Sequence, residues 1–253
     1  MTVIHAFPVS QRVCALVALA AMIATPLFEQ SGEERVLLTH FVIGGMFALS
    51  VLVAQAMWGI RRAVSAAFTV VCFTWVLELV GSNTGVPFGT YDYSTLLQPQ
   101  IVGVPLVVPF AWFAMAIPAR EVVRALGARR GWQRVLFGAA ALTAWDVFLD
   151  PQMVAEGYWL WATDGWYRGI PLTNYVGWMI GGAVVMTILE FSLPHRERPL
   201  HVTPVVHYAV VGVMETAAFA FFFDDLLVAF AGAVAMLPIS LAAVMRMRRL
   251  TSV

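Results

Sequence analysis

Apolar residues run through this chain in stretches long enough to cross a bilayer, each closed by a short interruption rich in charge, glycine or proline. About eight stretches can be drawn, over 10–28, 36–58, 63–81, 103–123, 133–152, 172–192, 204–223 and 226–246, each near the roughly 20 residues of a spanning helix. The pattern predicts an all-α, polytopic transmembrane bundle forming one integral membrane domain over 1–253. The thinnest divide is the last, where only Asp224 and Asp225 separate two apolar runs. The first run shows no convincing small-residue cleavage site and is expected to stay as the first helix.

Arginines orient the bundle. Arg12, Arg61 with Arg62, Arg120 to Arg134, Arg196 with Arg198, and Arg246 to Arg249 fall on alternate connections. The connections between them hold Glu29, Glu33, Glu34 and Arg35, then Asp92, then Glu156, Asp164 and Arg168, then Asp224 and Asp225. Basic residues collect on the cytoplasmic side, which predicts a multi-pass cell-membrane protein with both termini cytoplasmic. Two of the opposite connections are unusual. Residues 82–102, rich in Gly, Pro, Asn and Tyr, suit a packed loop over a site. Residues 152–171 carry Tyr158, Trp159, Trp161, Trp166 and Tyr167, which read either as an interfacial aromatic belt or as a lid lining an apolar groove.

Composition narrows the functions. With 60% hydrophobic and 12% charged residues, the chain is no soluble domain. Its formal net charge is zero, which argues against nucleic acid as a partner. All fifteen basic residues are arginine, which excludes lysine Schiff-base chemistry. Cys14 and Cys72 lie in apolar runs and make neither a disulfide nor a metal pattern.

The candidate chemistry lies in the polar residues inside the apolar runs. A carboxylate near the centre of a lipid-facing helix costs roughly 2.5–3.5 kcal/mol, so such groups usually face a protected site. Asp146 and Asp150 are four apart and share a helix face. Glu78, Asn174 and Trp178 fall near the same depth, and convergent ionisable groups in an apolar setting define the default site. The plainer reading of the aspartates is a polar pair plugging a seam of the bundle. Glu215, within the seventh run, reads equally as a site element or a bundle hydrogen-bonder. Glu190, near Arg196, reads as a solvated or ion-paired helix end. His40 and His207 read as packing, and His5, His195 and His201 as interfacial residues. No histidines recur at helical spacing, so no metal site is expected.

The stretch ELVGSNTGVPFGTYDYS, from Glu78 to Ser94, together with WDVFLDPQMVAEGYWLWATDGWYRGIPLTNYVGW, from Trp145 to Trp178, resembles the membrane carotenoid hydratases of the bisanhydrobacterioruberin hydratase type. The resemblance covers residues 78–178; the flanking helices match only in hydrophobicity and number. It implies addition of water across the terminal double bond of an acyclic carotenoid, giving a tertiary alcohol with no cofactor. The implied partners are the carotenoid, water and the lipid bilayer, with the pathway's other enzymes as candidate protein partners.

Alkene hydration needs a strong proton donor and a stabilised tertiary cation. On chemical grounds Asp146, the deeper aspartate, is expected as general acid, with Asp150 or Glu78 holding the water and Asn174 orienting a carboxylate or that water. Tyr91, Tyr93 and Trp178 would flank the cation. Gly81, Gly85 and Gly89 are expected to serve turns and close backbone approach. The rival readings are a prenyltransferase, a carotenoid cyclase, a carotenoid-binding scaffold and, last, a transporter.

Overall fold

A computed structural model describes residues 3–4, 7–194 and 199–251. It has eight long helices: α1 Val9–Ala24, α2 Glu33–Trp58, α3 Ile60–Thr84, α4 Val107–Ala125, α5 Gly131–Ala155, α6 Leu172–Ser192, α7 Val202–Phe221 and α8 Leu226–Thr251. Six short strands are also described, β1 Val3–Ile4 ahead of α1 and, between helices, β2 Tyr91–Tyr93, β3 Gln100–Ile101, β4 Val104–Pro105, β5 Trp159–Trp161 and β6 Leu200–His201. The fold is therefore an all-α transmembrane bundle with small strand pairs in its connections. Six helices, α1, α2, α3, α6, α7 and α8, are long and apolar enough to cross a membrane.

Of the other two long helices, α4 is the bundle's interior, while α5 buries one face and exposes Trp132, Leu136 and Phe137 on another. All of α4 except Val108 and Phe110 is buried, as a helix enclosed on every side should be. It packs against α2, α3, α5, α7 and α8, while α1 leans on α2, α6 on α5 and α8 on α7. Both helices carry charge that lipid would not tolerate. That charge is held inside the protein: Arg120, Glu121 and Arg124 in α4, and Arg134, Asp146 and Asp150 in α5 are all buried.

This corrects the expectation that the arginines from Arg120 to Arg134 all fall on a connection: Arg129 and Arg130 do, exposed between α4 and α5, whereas Arg120, Arg124 and Arg134 are buried in the helices. Arg120 Nε donates to Glu190 Oε1 at 2.9 Å, its Nη1 to Glu121 at 3.2 Å and its Nη2 to the Leu193 carbonyl at 2.8 Å. Arg124 bonds Glu121 at 2.5 Å, and Arg134 Nε bonds Glu190 Oε2 at 2.8 Å. Glu190 is thus ion-paired, with partners on α4 and α5; Arg196, Arg198, His5 and His195 lie outside the described residues. Arg35, read as a loop charge, is buried against Glu156 at the end of α5. His201, read as interfacial, is buried and caps α7 by accepting the Thr203 N–H at 3.3 Å. His40 bonds the Val36 carbonyl at 2.7 Å, one turn back in its own helix.

The helix ends follow local chemistry. Gly85 ends α3 in a left-handed conformation, φ 74°, and donates its N–H to the Gly81 carbonyl, the usual glycine stop. The narrow divide at Asp224 and Asp225 is a true turn. Asp225 accepts the Val228 N–H at 3.0 Å, capping α8, and pairs with Arg168 at 2.6 Å. The fourth apolar run begins later than its hydropathy suggests, because the β3–β4 hairpin occupies Gln100 to Pro105 ahead of α4.

The two unusual connections come together. β2 pairs antiparallel with β5, setting Tyr91 opposite Trp161 and Tyr93 opposite Trp159. Alternate strand residues share a face, so the two tyrosines and two tryptophans turn toward the bundle as one aromatic lid. Phe88 locks the lid down between α3 and α6. A Cβ at Gly81 would lie 2.7 Å from its ring, and one at Gly177 2.5 Å from it, so both helices need glycine there.

Candidate active site

Beneath the lid is a chamber walled by α2, α3, α4, α5 and α6, and its carboxylates and amide come from α3, α5 and α6. Glu78 on α3 is the most heavily bonded. Its Oε2 accepts the Tyr91 hydroxyl at 2.6 Å and the Tyr93 hydroxyl at 2.8 Å, and its Oε1 accepts Trp112 Nε1 at 2.9 Å. Burial, and then the nearby Glu78 carboxylate, pushes both phenols above their ordinary range, so each remains an O–H donor.

Asp146 and Asp150 project from one face of α5 toward Asn174 near the start of α6. The Asn174 amide donates to both, to Asp146 Oδ2 at 2.9 Å and to Asp150 Oδ2. Trp159 of the lid donates to the other Asp150 oxygen at 3.2 Å. Asp146 Oδ1 is buried with no hydrogen-bond partner, and so is the indole N–H of Trp161, which lines the chamber. The indole of Trp112 stacks on Trp178, ring centroids 3.9 Å apart and planes within 11°, and Trp145 meets Trp178 edge-on. Together these rings and the lid make an apolar, π-rich wall around the acids.

The structure therefore gathers Glu78, Asp146, Asp150, Asn174, Tyr91, Tyr93 and Trp178 into one constellation. Two placements differ from the sequence-based assignment. Glu78, Asp150 and Asn174 line the chamber, whereas Asp146 stands behind Asn174 and does not. Glu215 lies outside the chamber, in an adjoining cavity with Trp145, Gln152 and Met214. Trp112 and Trp159, which donate to Glu78 and Asp150, were not singled out as site residues. Trp112 is one aromatic among many in an apolar run and gave no signal. Trp159 did: Tyr-x-Tyr and Trp-x-Trp, each flanked by turn residues, are a strand pattern with one aromatic face. Among the described residues no group of three or more His, Cys, Asp or Glu is placed to hold a metal ion.

Taken together, these features define the class: a transmembrane helical bundle that buries three carboxylates beneath an aromatic lid. The family whose profile is described as "Carotenoid biosynthesis protein" matches residues 36–247, and the chain belongs to that family. The chain is also similar to bisanhydrobacterioruberin hydratase of Haloarcula japonica, 31% identical over 159 residues that cover 60% of this chain and 54% of that protein. The match thus spans about half the length of that relative. No solved structure matches the chain.

Proposed function

We propose that this protein is a cofactor-independent carotenoid hydratase, adding water to the terminal double bond of an acyclic carotenoid and leaving a tertiary alcohol. In this reading residues 1–253 form one domain, all eight helices cross the cell membrane, both termini are cytoplasmic and the lid faces outward. The observation that carries it is a cluster of three carboxylates whose chamber is walled by aromatic rings and carries no arginine. Family membership and the relative named as a hydratase support the same chemistry.

Asp150, on the chamber wall, gives a proton to the less substituted alkene carbon. The π pair becomes the new C–H bond, and positive charge falls on the carbon bearing two methyl groups. Glu78, fixed by three donors, supplies compensating negative charge, and the faces of Tyr93, Trp112 and Trp178 add cation–π stabilisation. A water near the free Trp161 N–H bonds to the cation through its oxygen and passes a proton to Glu78. Return of that proton to Asp150 closes the cycle. One water is consumed and no electrons are transferred, so the balance calls for no cofactor. Asp146 holds Asn174 from behind and is a positioning residue; the donor's role moves from Asp146 to Asp150. The absence of arginine from the wall counts against a prenyltransferase, whose diphosphate needs cations.

The test is pigment analysis in a host making acyclic carotenoids, with and without the protein. The expected product gains one water mass per modified end, with oxygen-18 arriving from labelled water. Asp150→Asn and Glu78→Gln, expressed normally in membranes, should each lower turnover at least ~100-fold, the range a positioned acid or base contributes. A product of unchanged mass and altered retention would identify a cyclase instead.

A further inference from the structure

The acid chamber does not stand alone. Thr39, Ile43, Leu149 and Met153 wall it on one side, and the same four residues wall the cavity that holds Glu215. That middle cavity in turn shares Met22, Met46 and Val211 with a crevice between α1, α2 and α7. The crevice measures about 470 Å³ and exists because α1 packs along α2 and barely touches α7. Its lining is aliphatic over most of its length, with Arg12 the one formally charged residue among the described residues that line it, toward the end away from the lid.

From these shared walls we infer that the three cavities form one conduit for a linear polyene. The chain lies in the α1–α2–α7 crevice and passes Glu215, and its terminal alkene enters the acid chamber. The proposal rests on the hydration reading for which end is inserted.

Length supports this occupant. The conduit follows α7 from Val202 to Ala218, about 24 Å at 1.5 Å per residue, before turning into the chamber. The sum approaches the roughly 30 Å hydrocarbon thickness that an extended carotenoid also spans. Deformability supports it too. The acid chamber and the middle cavity each hold only about 60 Å³, and four methionines, Met22, Met46, Met153 and Met214, line the middle one, Met153 bordering both. Unbranched thioethers repack at little cost, so this inner part of the conduit can widen around a slender chain where branched side chains would resist.

The test separates the conduit from the chemistry. Full-length protein in nanodiscs is titrated with an acyclic C40 polyene, and binding is read as induced circular dichroism in the polyene's visible band. Turnover is measured on the same polyene and on a short acyclic isoprenoid with the same terminal alkene. Val210→Trp places bulk in the crevice at a position already 37% exposed, where folding is least at risk. Met46→Trp blocks the junction itself.

Both variants are expected to lose at least tenfold in polyene affinity and turnover while hydrating the short substrate at the wild-type rate. Unchanged polyene binding in both variants would overturn the conduit. So would equal losses on long and short substrates in folded protein, or a tightly held phospholipid in the crevice that polyene does not displace. If wild-type protein binds polyene through the crevice yet hydrates neither substrate, the conduit stands and the hydration reading fails.

Discussion

At the scale of single residues the site turns on how Glu78 is held. Three donors from two loop tyrosines and a helix tryptophan fix one carboxylate beneath the lid. A hydrogen bond to a charged group contributes roughly 1.5–3 kcal/mol, so Tyr91→Phe should lower turnover about ten- to a hundredfold. The pH dependence of that loss is informative. Burial first, then the charge of Glu78, raises both phenols above their ordinary value, near 10 for a free tyrosine. A raised phenol keeps its proton, so the stability it contributes is complete below about pH 10 and drains away above it. Turnover of Tyr91→Phe should therefore run parallel to wild type from about pH 6 to 9, well below that value. An alkaline limb present in wild type and absent from the variant would show that the phenol titrates during the reaction. The acids and Asn174 were legible in the sequence because a polar group inside an apolar run announces itself by its cost. The order in which the two aspartates meet the chamber was not. Spacing sets the shared face of a helix, but which residue on that face reaches a cavity depends on its neighbour, here Asn174.

At the scale of elements, the connection between α1 and α2 is stapled to the end of α5. Arg35 pairs with Glu156, the Ser31 N–H donates to Glu156 at 2.8 Å, and the Ser31 hydroxyl donates to the Glu156 carbonyl at 2.8 Å. Glu156 is 3% exposed. Removing one member of a buried ion pair strands the other, at about 3–5 kcal/mol. Glu156→Ala should thus lower the thermal unfolding temperature markedly, and the double variant Arg35→Met, Glu156→Leu should recover most of it, because neither charge is left alone. Thermal unfolding in detergent by circular dichroism measures both, and a double variant no better than Glu156→Ala would show that the loss is packing alone. This staple was hidden in the sequence, since 121 positions separate Arg35 from Glu156 and each reads as an ordinary loop charge. The β2–β5 lid was half visible. Its aromatic alternation could be read, but the pairing of two distant connections belongs to the tertiary fold. The helices themselves were the most legible elements, because a spanning run is set by hydropathy and length.

For the whole molecule, the structure changes the charge count from which orientation is argued. Arg35, Arg120, Arg124 and Arg134 are buried within the protein, so they say little about which side of the membrane a connection faces. What remains exposed keeps the same bias. Arg12, Arg61, Arg62, Arg129, Arg130, Arg246, Arg248 and Arg249 are exposed toward the end away from the lid, while at the lid end Arg168 is exposed and paired with Asp225. In the topology we propose, eight crossings bring both termini to one side, and basic residues hold that side in the cytoplasm. The same proposal turns the lid, and the chamber beneath it, toward the outer face, from which water would reach the acids. Single cysteines test this in a background lacking Cys14 and Cys72. In intact cells a membrane-impermeant maleimide should label Asp92→Cys and Asp164→Cys, which lie in the lid connections. Arg62→Cys and Arg130→Cys should react only after permeabilisation. The reverse pattern would turn the bundle over and place the hydration chemistry on the cytoplasmic side; mixed labelling within one set would mean that α4 and α5 do not both cross.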